Sequence, residues 1–386
     1  MKIGFITFVD VSKLRADAVH TASLLKEFRR LKLDVAVLAG PTEAARGKSR
    51  FLTFLGMVFG RLALLARVAA SRRKFDLFYV RDWLFACMMS FFGLRYAFEI
   101  NGLILYEGLI RRYYRRGSLA YRFFRRLEKR VLKSATRIVA VSSGMKDYCT
   151  TLGVGADKVL VAENAADPDV FNPDRPRVDV PARKDAVLAG WMGSFESHHG
   201  FQDLVCIAQE MQTKGCAGVQ FLIIGGGRRQ TELQQRIVAQ GLQEYFVFCG
   251  AVSWDQVPAY MLNADFCLCL DSRTDENLEY RNVIGVTQIK VFEYLALGKP
   301  VLAQDLGDAR DFFESRRIGW VCACEPAEVA RRIIEIAGHR EQIAECSKNA
   351  LAVSRETYNW PATARKIVGF LRESVPPSAR GVEESV

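Results

Sequence analysis

No two of the ten cysteines stand at the Cys-x-x-Cys spacing of a zinc knuckle or redox motif. They fall on alternate positions of apolar runs, Cys267 with Cys269 and Cys322 with Cys324, as small core residues of strands do. The expectation is therefore reduced, structural thiols in a reducing cytoplasm. Long uninterrupted apolar runs are also missing. The best candidate, Phe51 to Ala70, carries Arg61 and Arg67 and is too charged to span a bilayer. A signal peptide is not expected, because Lys2-Ile3-Gly4-Phe5-Ile6-Thr7 already reads as a strand. No metal-ligating cluster and no nucleic-acid recognition motif is visible, so neither a metal nor a nucleic acid is expected as a partner.

What is present describes a globular enzyme. The chain has 386 residues, half of them apolar and a quarter charged, which exceeds a single core and excludes a collagen-like, disulfide-scaffold or wholly disordered chain. The net charge of +11 is uneven: residues 1–180 carry 32 Lys and Arg against 17 Asp and Glu, whereas the remainder carries 22 against 26. A basic half joined to a mildly acidic half suggests that one domain meets an anionic surface while the other does separate work.

Strand signals at Ile3–Thr7, Asp34–Leu38, Leu77–Val80, Tyr96–Ile100 and Arg137–Val141 are separated by helix-sized segments. The pattern breaks near Asn172-Pro173-Asp174-Arg175-Pro176. It resumes with strands at Val187–Trp191, Gln220–Ile224, Phe246–Cys249, Phe266–Leu270, Val301–Ala303 and Gly319–Cys322, with helices at Gln230–Gln240 and Val291–Leu297 among those filling the gaps. Alternation of this kind predicts an α/β protein: two tandem, doubly wound Rossmann-like domains facing across a cleft, with ligands at the carboxyl ends of the strands. The predicted division is 1–173 for a basic amino-terminal domain, 174–182 for a linker, and 183–355 for a nucleotide-sugar-binding domain. A helix over 356–375 is expected to return toward the first domain, followed by a disordered tail, 376–386.

The sharpest chemical signal runs from Gln288 to Val301. An amphipathic helix begins near Lys290 and ends at Gly298, a residue suited to the left-handed C′ position, with Pro300 just beyond. Glu293 lies in the first turn, where a carboxylate is favoured and can accept two ribose hydroxyls, and Lys290 with the free amides would face a pyrophosphate. By spacing alone, the two residues also fit an ordinary surface pair on a helix.

The run Val291-Phe-Glu-Tyr-Leu-Ala-Leu-Gly-Lys-Pro-Val-Leu-Ala303 resembles the signature of family 4 of the retaining GT-B glycosyltransferases, in the branch whose helix opens Pro-x-Lys-x-Phe-Glu-Tyr; Gln288 replaces the proline. Softer matches extend over nearly the whole chain, at Phe78–Asp82, Glu99–Leu103, Val139–Tyr148, Glu163–Pro173, Trp191–Val205, Phe221–Gly227 and Phe248–Phe266. The resemblance implies an enzyme that moves a sugar from a nucleotide diphosphate sugar, UDP or GDP, to an acceptor. The cysteine pattern adds a cytoplasmic location, and the basic stretches at 43–76 and 111–133 add a peripheral place at the inner face of a membrane with a lipid-linked or glycan acceptor. With no metal-ligating cluster visible and the diphosphate held by amides and cations, no cofactor and no metal is expected. Glu293 would bind the ribose hydroxyls, and Val252 would line the base. The turn from Gly193 and Ser194 to His199 and Gly200 would face the diphosphate, with Lys290 and His199 carrying its charge, and Asn101 would face the donor sugar.

Departures are plain. Where many members carry a second glutamate touching the sugar, this chain has Gly285, so the contact would have to come from backbone amides around Gly285, Val286 and Thr287, or from the other domain. In place of a glycine-rich turn after the first strand stands Leu14-Arg15-Ala16-Asp17-Ala18. Gly225-Gly226-Gly227 reads either as an anion-binding turn, with Gly227 at the donor, or as a tight strand-to-helix connection. Asn101-Gly102 also fits an ordinary turn, His199 a solvated turn histidine, and His20 a buried histidine.

Two basic stretches complete the picture. Between Glu43 and Asp76 there are eight Lys or Arg residues and no acid; from Arg111 to Lys133 there are ten, with one acid at Glu128. Interleaved with Phe59, Leu62, Tyr113 and Phe123, these read as headgroup-plane helices on an anionic membrane, or as helices that cover the sheet while their arginines stay solvated. Two rival functions remain open: a sugar-nucleotide epimerase or phosphorylase-like enzyme on the same scaffold, and a non-catalytic nucleotide-sugar-binding protein.

Overall fold

The computed structural model describes residues 1–10, 16–41, 50–195 and 200–374. It divides into two compact units, Met1–Glu163 together with the chain from Trp360 onward, and Asn164–Asn359.

In the first unit, β1 (Lys2–Thr7), β2 (Asp34–Ala39), β3 (Leu77–Val80), β4 (Tyr96–Ile100), β5 (Arg137–Ala140) and β6 (Val159–Val161) form one parallel sheet in the order β2-β1-β3-β4-β5-β6. The strands lie within two residues of the predicted ones. The exception is β6, which is three residues long and too short to show a period. Helices α1 (Ala16–Arg30), α2 (Arg50–Ala70), α3 (Trp83–Phe91), α4 (Ile104–Ile110), α5 (Leu119–Ser134) and α6 (Ser143–Thr151) connect them. Phe5, Phe28 and Tyr79 are fully buried and in mutual ring contact, joining α1 to the sheet.

The second unit carries β7 (Val187–Met192), β8 (Val219–Ile224), β9 (Phe246–Gly250), β10 (Phe266–Cys269), β11 (Val301–Gln304) and β12 (Gly319–Cys322), also all parallel, in the order β12-β11-β10-β7-β8-β9. Its helices are α7 (Asp203–Thr213), α8 (Gln230–Ala239), α9 (Val257–Met261), α10 (Asp275–Ile284), α11 (Ile289–Ala296), α12 (Ala309–Phe313), α13 (Pro326–Ala337) and α14 (Arg340–Glu356). The strand order reverses between β7 and β10. In an open parallel sheet, that reversal leaves a crevice at the carboxyl ends of the two strands.

The boundaries differ from the expected 1–173, 174–182 and 183–355. The proline-rich stretch is bonded to the second unit, through Arg175 to Asp255 O (2.7 Å) and Val178 N to Ala259 O (3.1 Å). Residues from Asn164 join that unit as well, with Ala166 N donating to Tyr358 O at 3.2 Å. The last helix, α15 (Trp360–Arg372), groups with the first unit: Trp360 meets His20 edge-on at 4.5 Å and Phe370 lies under Arg137. The tail 376–386 lies outside the described residues.

All ten cysteines are free thiols. Cys267, Cys269 and Cys322 are buried on strands, whereas Cys324 lies past the end of β12 and is half-buried. Among the described residues, no helix is long and apolar enough to cross a membrane.

Candidate functional site

Helix α11 is amphipathic in sequence but enclosed in fact, with every residue from Val291 to Ala296 buried. Phe292 and Leu295 are fully buried, each contributing about 2 kcal/mol of apolar burial, and Gly298 ends the helix with φ +66° as predicted. The helix begins beside the carboxyl ends of β7 and β10, because Gly193 follows β7 and Lys290 Nζ comes within 3.9 Å of where a Cβ on Gly193 would stand. The same ammonium lies 5.1 Å from the centre of the Trp191 ring.

The surface-pair reading of Lys290 and Glu293 fails on burial. Lys290 Nζ is enclosed and has no hydrogen-bond partner among the described residues, and burial lowers its pKa. Glu293 is 6% exposed, and its Oε1 accepts from Trp254 Nε1 at 2.9 Å. Burial pushes its carboxyl up to about 7, against the opposing pull of Trp254 and Lys290. A carboxylate has room for several donors, and Glu293 finds one among the described residues. An enclosed cation and an underused carboxylate one turn apart on one helix cost free energy unless a ligand completes both.

Glu99 in the first unit shows the opposite state. It is as deeply buried, yet it accepts from Tyr79 OH, Arg81 Nε (3.0 Å) and Asn101 Nδ2 (2.9 Å), with His20 Nε2 at 2.8 Å. Burial works to raise its pKa, but Arg81, His20 and Tyr79 together hold the carboxyl well below the usual range. Its needs are met inside the protein. His20 is therefore the buried partner of Glu99, while Asn101 is exposed at the end of β4 with its side-chain amide on the same carboxylate.

The turn after β7 is built by close backbone approach. Gly193 N donates to Ile224 O at 3.1 Å and Phe195 N to Gly226 O at 3.2 Å; a Cβ on Gly225 would stand 1.9 Å from Gly193 O, and one on Gly227 3.0 Å from Phe195 N. Gly225 and Gly227 thus let the loop after β8 touch the turn after β7, while Gly226 faces Ala251. Ser194 is exposed there. His199, and with it part of the turn, lies outside the described residues, as do Leu14 and Arg15. Val252 is half-buried and packs against the apolar cluster that includes Phe171, Val291 and Phe292.

The expectation for Gly285, Val286 and Thr287 is corrected. Their amides are already engaged: Gly285 N donates to Arg281 O (2.8 Å), Val286 N to Asp308 Oδ1 (2.8 Å) and Thr287 N to Gln288 Oε1 (3.3 Å). Asp308 fills the space a side chain at 285 would need, and φ +65° at Gly285 reserves the position for glycine. At the start of α11 the Gln288 side chain makes no cap, and Val291 N donates to Gln288 O (3.0 Å), which leaves Ile289 and Lys290 as the first-turn amides beside the site.

Several residues without a sequence signal hold that helix start in place. Gln288 Nε2 donates to Asp271 Oδ2 at 2.7 Å, and Arg281 Nε stands 2.8 Å from Asp271 Oδ1. Asn164 Nδ2 donates to Thr287 O at 2.7 Å. Behind them lies a cavity of about 20 Å³, enough for one water, lined by Asp271, Arg281, Gln288 and Gln304 among others. A larger cavity, about 310 Å³, lies elsewhere in the unit between Phe171, Asp174, Ala296 and Arg355.

Residues 186–339 match the family described as "Glycosyl transferases group 1", and residues 18–165 match the "Glycosyl transferase 4-like domain". A 2-deoxystreptamine N-acetyl-D-glucosaminyltransferase of Streptomyces fradiae is 27% identical over 205 residues, 50% of this chain and 45% of the relative. An alpha-D-kanosaminyltransferase of Streptomyces kanamyceticus is 24% identical over 193 residues, 49% of this chain and 46% of the relative. The matches thus span under half the length of either relative. Among solved structures, Anabaena HepE in complex with UDP superposes with a TM-score of 0.72 at 18% identity, covering 97% of this chain and all of that one. The two matched segments take in the whole of the second sheet and all of the first but β1, and the chain belongs to the GT-B glycosyltransferases of the family 4 type.

Proposed function

We propose that the protein transfers a hexose-type unit from a nucleoside diphosphate sugar, with Lys290 and the α11 amides holding the diphosphate and Glu293 the ribose. The observation that carries this reading is the pair of unfinished charges at the start of α11: among the described residues, an enclosed, unpartnered ammonium and a buried carboxylate with one donor. The UDP named with HepE supports UDP as the carrier, with GDP as the alternative.

The transfer is proposed to retain configuration by same-face displacement. The acceptor hydroxyl attacks the anomeric carbon as the bond to the diphosphate breaks, and a departing phosphate oxygen takes the hydroxyl proton. Lys290 and the helix amides stabilise the negative charge that builds on the leaving group, where a preorganised donor is worth most. No metal or cofactor is assigned to the step. Asn101 and His199 are the residues offered for the donor sugar and for additional phosphate contact.

For the acceptor, we propose a lipid-linked or glycan molecule at the inner face of a membrane. The support is the solvent face of α5 and the loop before it. Arg111, Arg115, Arg122, Arg126 and Lys133 are among its exposed cations, Leu119 and Phe123 are exposed beside them, and the one acid, Glu128, is buried at 2% exposure. The 2-deoxystreptamine in the name of the Streptomyces fradiae relative favours a second reading, a small polar amino-cyclitol acceptor.

Lys290→Ala should lower turnover of the sugar nucleotide by roughly a hundredfold or more, the loss typical of removing one preorganised donor from a developing negative charge. Product formation followed with purified wild type and variant checks this. A variant that keeps the full rate would remove Lys290 from the mechanism.

A further inference from the structure

Among the described residues, the carboxylate of Glu293 is held from one side only. Its Oε1 accepts from the indole N–H of Trp254, and the indole is itself fixed by an edge contact with Phe171, ring centres 5.4 Å apart, where Phe171 is 2% exposed. Trp254 is half-buried, so the ring is not simply core filling. We propose that Trp254 is a positioning residue for the donor ribose: it occupies one oxygen of Glu293 and thereby presents the other to the ribose hydroxyls.

Three features of the geometry support this. A buried side-chain carboxylate left free would choose among rotamers, and a charge-assisted bond to a ring that cannot turn selects one of them. The donor set is incomplete by about the number of hydroxyls a ribose carries, in contrast to Glu99, whose four neighbours leave it no such vacancy. The indole N–H can only donate, so it favours the ionised carboxylate, the form that accepts hydroxyls. The proposal rests on the donor-site reading above and assigns Trp254 a role through Glu293, not a contact with the reacting atoms.

The test uses whichever of UDP, GDP and ADP binds the wild-type chain most tightly, together with its 2′,3′-dideoxy form, titrated calorimetrically from pH 6.5 to 8.5. Trp254→Phe keeps a ring against Phe171 and removes the donor; Trp254→His restores a ring N–H. For the ribonucleotide, Trp254→Phe should weaken binding about tenfold near neutral pH, as expected for a lost hydrogen bond to a charged group. The loss should shrink toward pH 8.5, where Glu293 ionises without help, and be partly recovered in Trp254→His. The dideoxy form should bind both proteins alike. An equal loss for both nucleotides at every pH would show a merely structural role and overturn the proposal. If none of the three nucleotides binds the wild type, or if Glu293→Gln binds as the wild type does, the donor-site reading itself fails, and the proposal with it. Unchanged circular dichroism of Trp254→Phe separates either result from unfolding.

Discussion

Hydrogen-bond partners, not burial, separate Glu293 from Glu99: both are buried, and among the described residues Glu99 has four neighbours where Glu293 has one donor. Glu293 and Glu128 are both pushed up to about 7 by burial, from an ordinary value of 4.5. For an acid whose folded pKa is raised, the unfolded chain loses its proton first. Its contribution to stability is therefore full below pH 4.5 and is lost as the pH rises through 7. Urea unfolding of the nucleotide-free protein should show stability falling between pH 5 and pH 8, by roughly 1.4 kcal/mol for each tenfold difference in proton affinity between the folded and unfolded chain. Glu293→Gln, neutral throughout, should fall by visibly less, and an identical drop in both proteins would mean that Glu293 is not desolvated. Lys290 and Glu293 were legible as candidates in the sequence through the resemblance to the family 4 signature; helix spacing alone left a surface pair open, and the helix begins at Ile289 with no acid in its first turn. Trp254 was not, since nothing in a separation of 39 residues says that an indole will reach that carboxylate.

At the scale of elements, the strands were the most legible part. Parallel strands buried on both faces are continuous apolar runs bounded by glycine, proline and polar residues, and eleven of the twelve stand out as such runs, although β2, at a sheet edge, is only partly covered. The helix start that forms the site was visible from Gly298 and Pro300 at its far end, but its support was not. Asp271, Arg281 and Gln288 come from the end of β10, from α10 and from the helix cap, and only the fold brings them together. The glycine at 285 was visible as a departure from relatives. Its reason, a carboxylate from Asp308 occupying the vacated space and capping the Val286 amide, required coordinates. The same holds for the glycines at 225 and 227, whose need arises from a second loop passing within contact distance.

On the scale of the whole molecule, composition pointed to two units but misplaced the crossing. A proline-rich stretch with a change of charge looks like a linker, yet here its carbonyls and amides are bonded along the second unit. The charge asymmetry itself is preserved in the structure as the cationic face of α5. Screened attraction of that face to acidic headgroups should make the protein float with anionic phosphatidylglycerol liposomes at low salt and release at high salt, while neutral phosphatidylcholine liposomes leave it behind. Charge reversal at Arg122, Arg126 and Lys133 should abolish flotation without altering nucleotide binding. Failure of the wild type to float at low salt would favour the small, soluble acceptor.

The central claim is that one helix start, at the reversal of strand order in the second unit, holds a ribose and a diphosphate. A crystal structure of the protein with UDP or GDP tests it most directly. The account predicts the β-phosphate within hydrogen-bonding distance of Lys290 Nζ and the first amides of α11, with the ribose hydroxyls on the Glu293 oxygen that Trp254 leaves open. A nucleotide bound elsewhere, with Lys290 still enclosed and unpartnered, would contradict it.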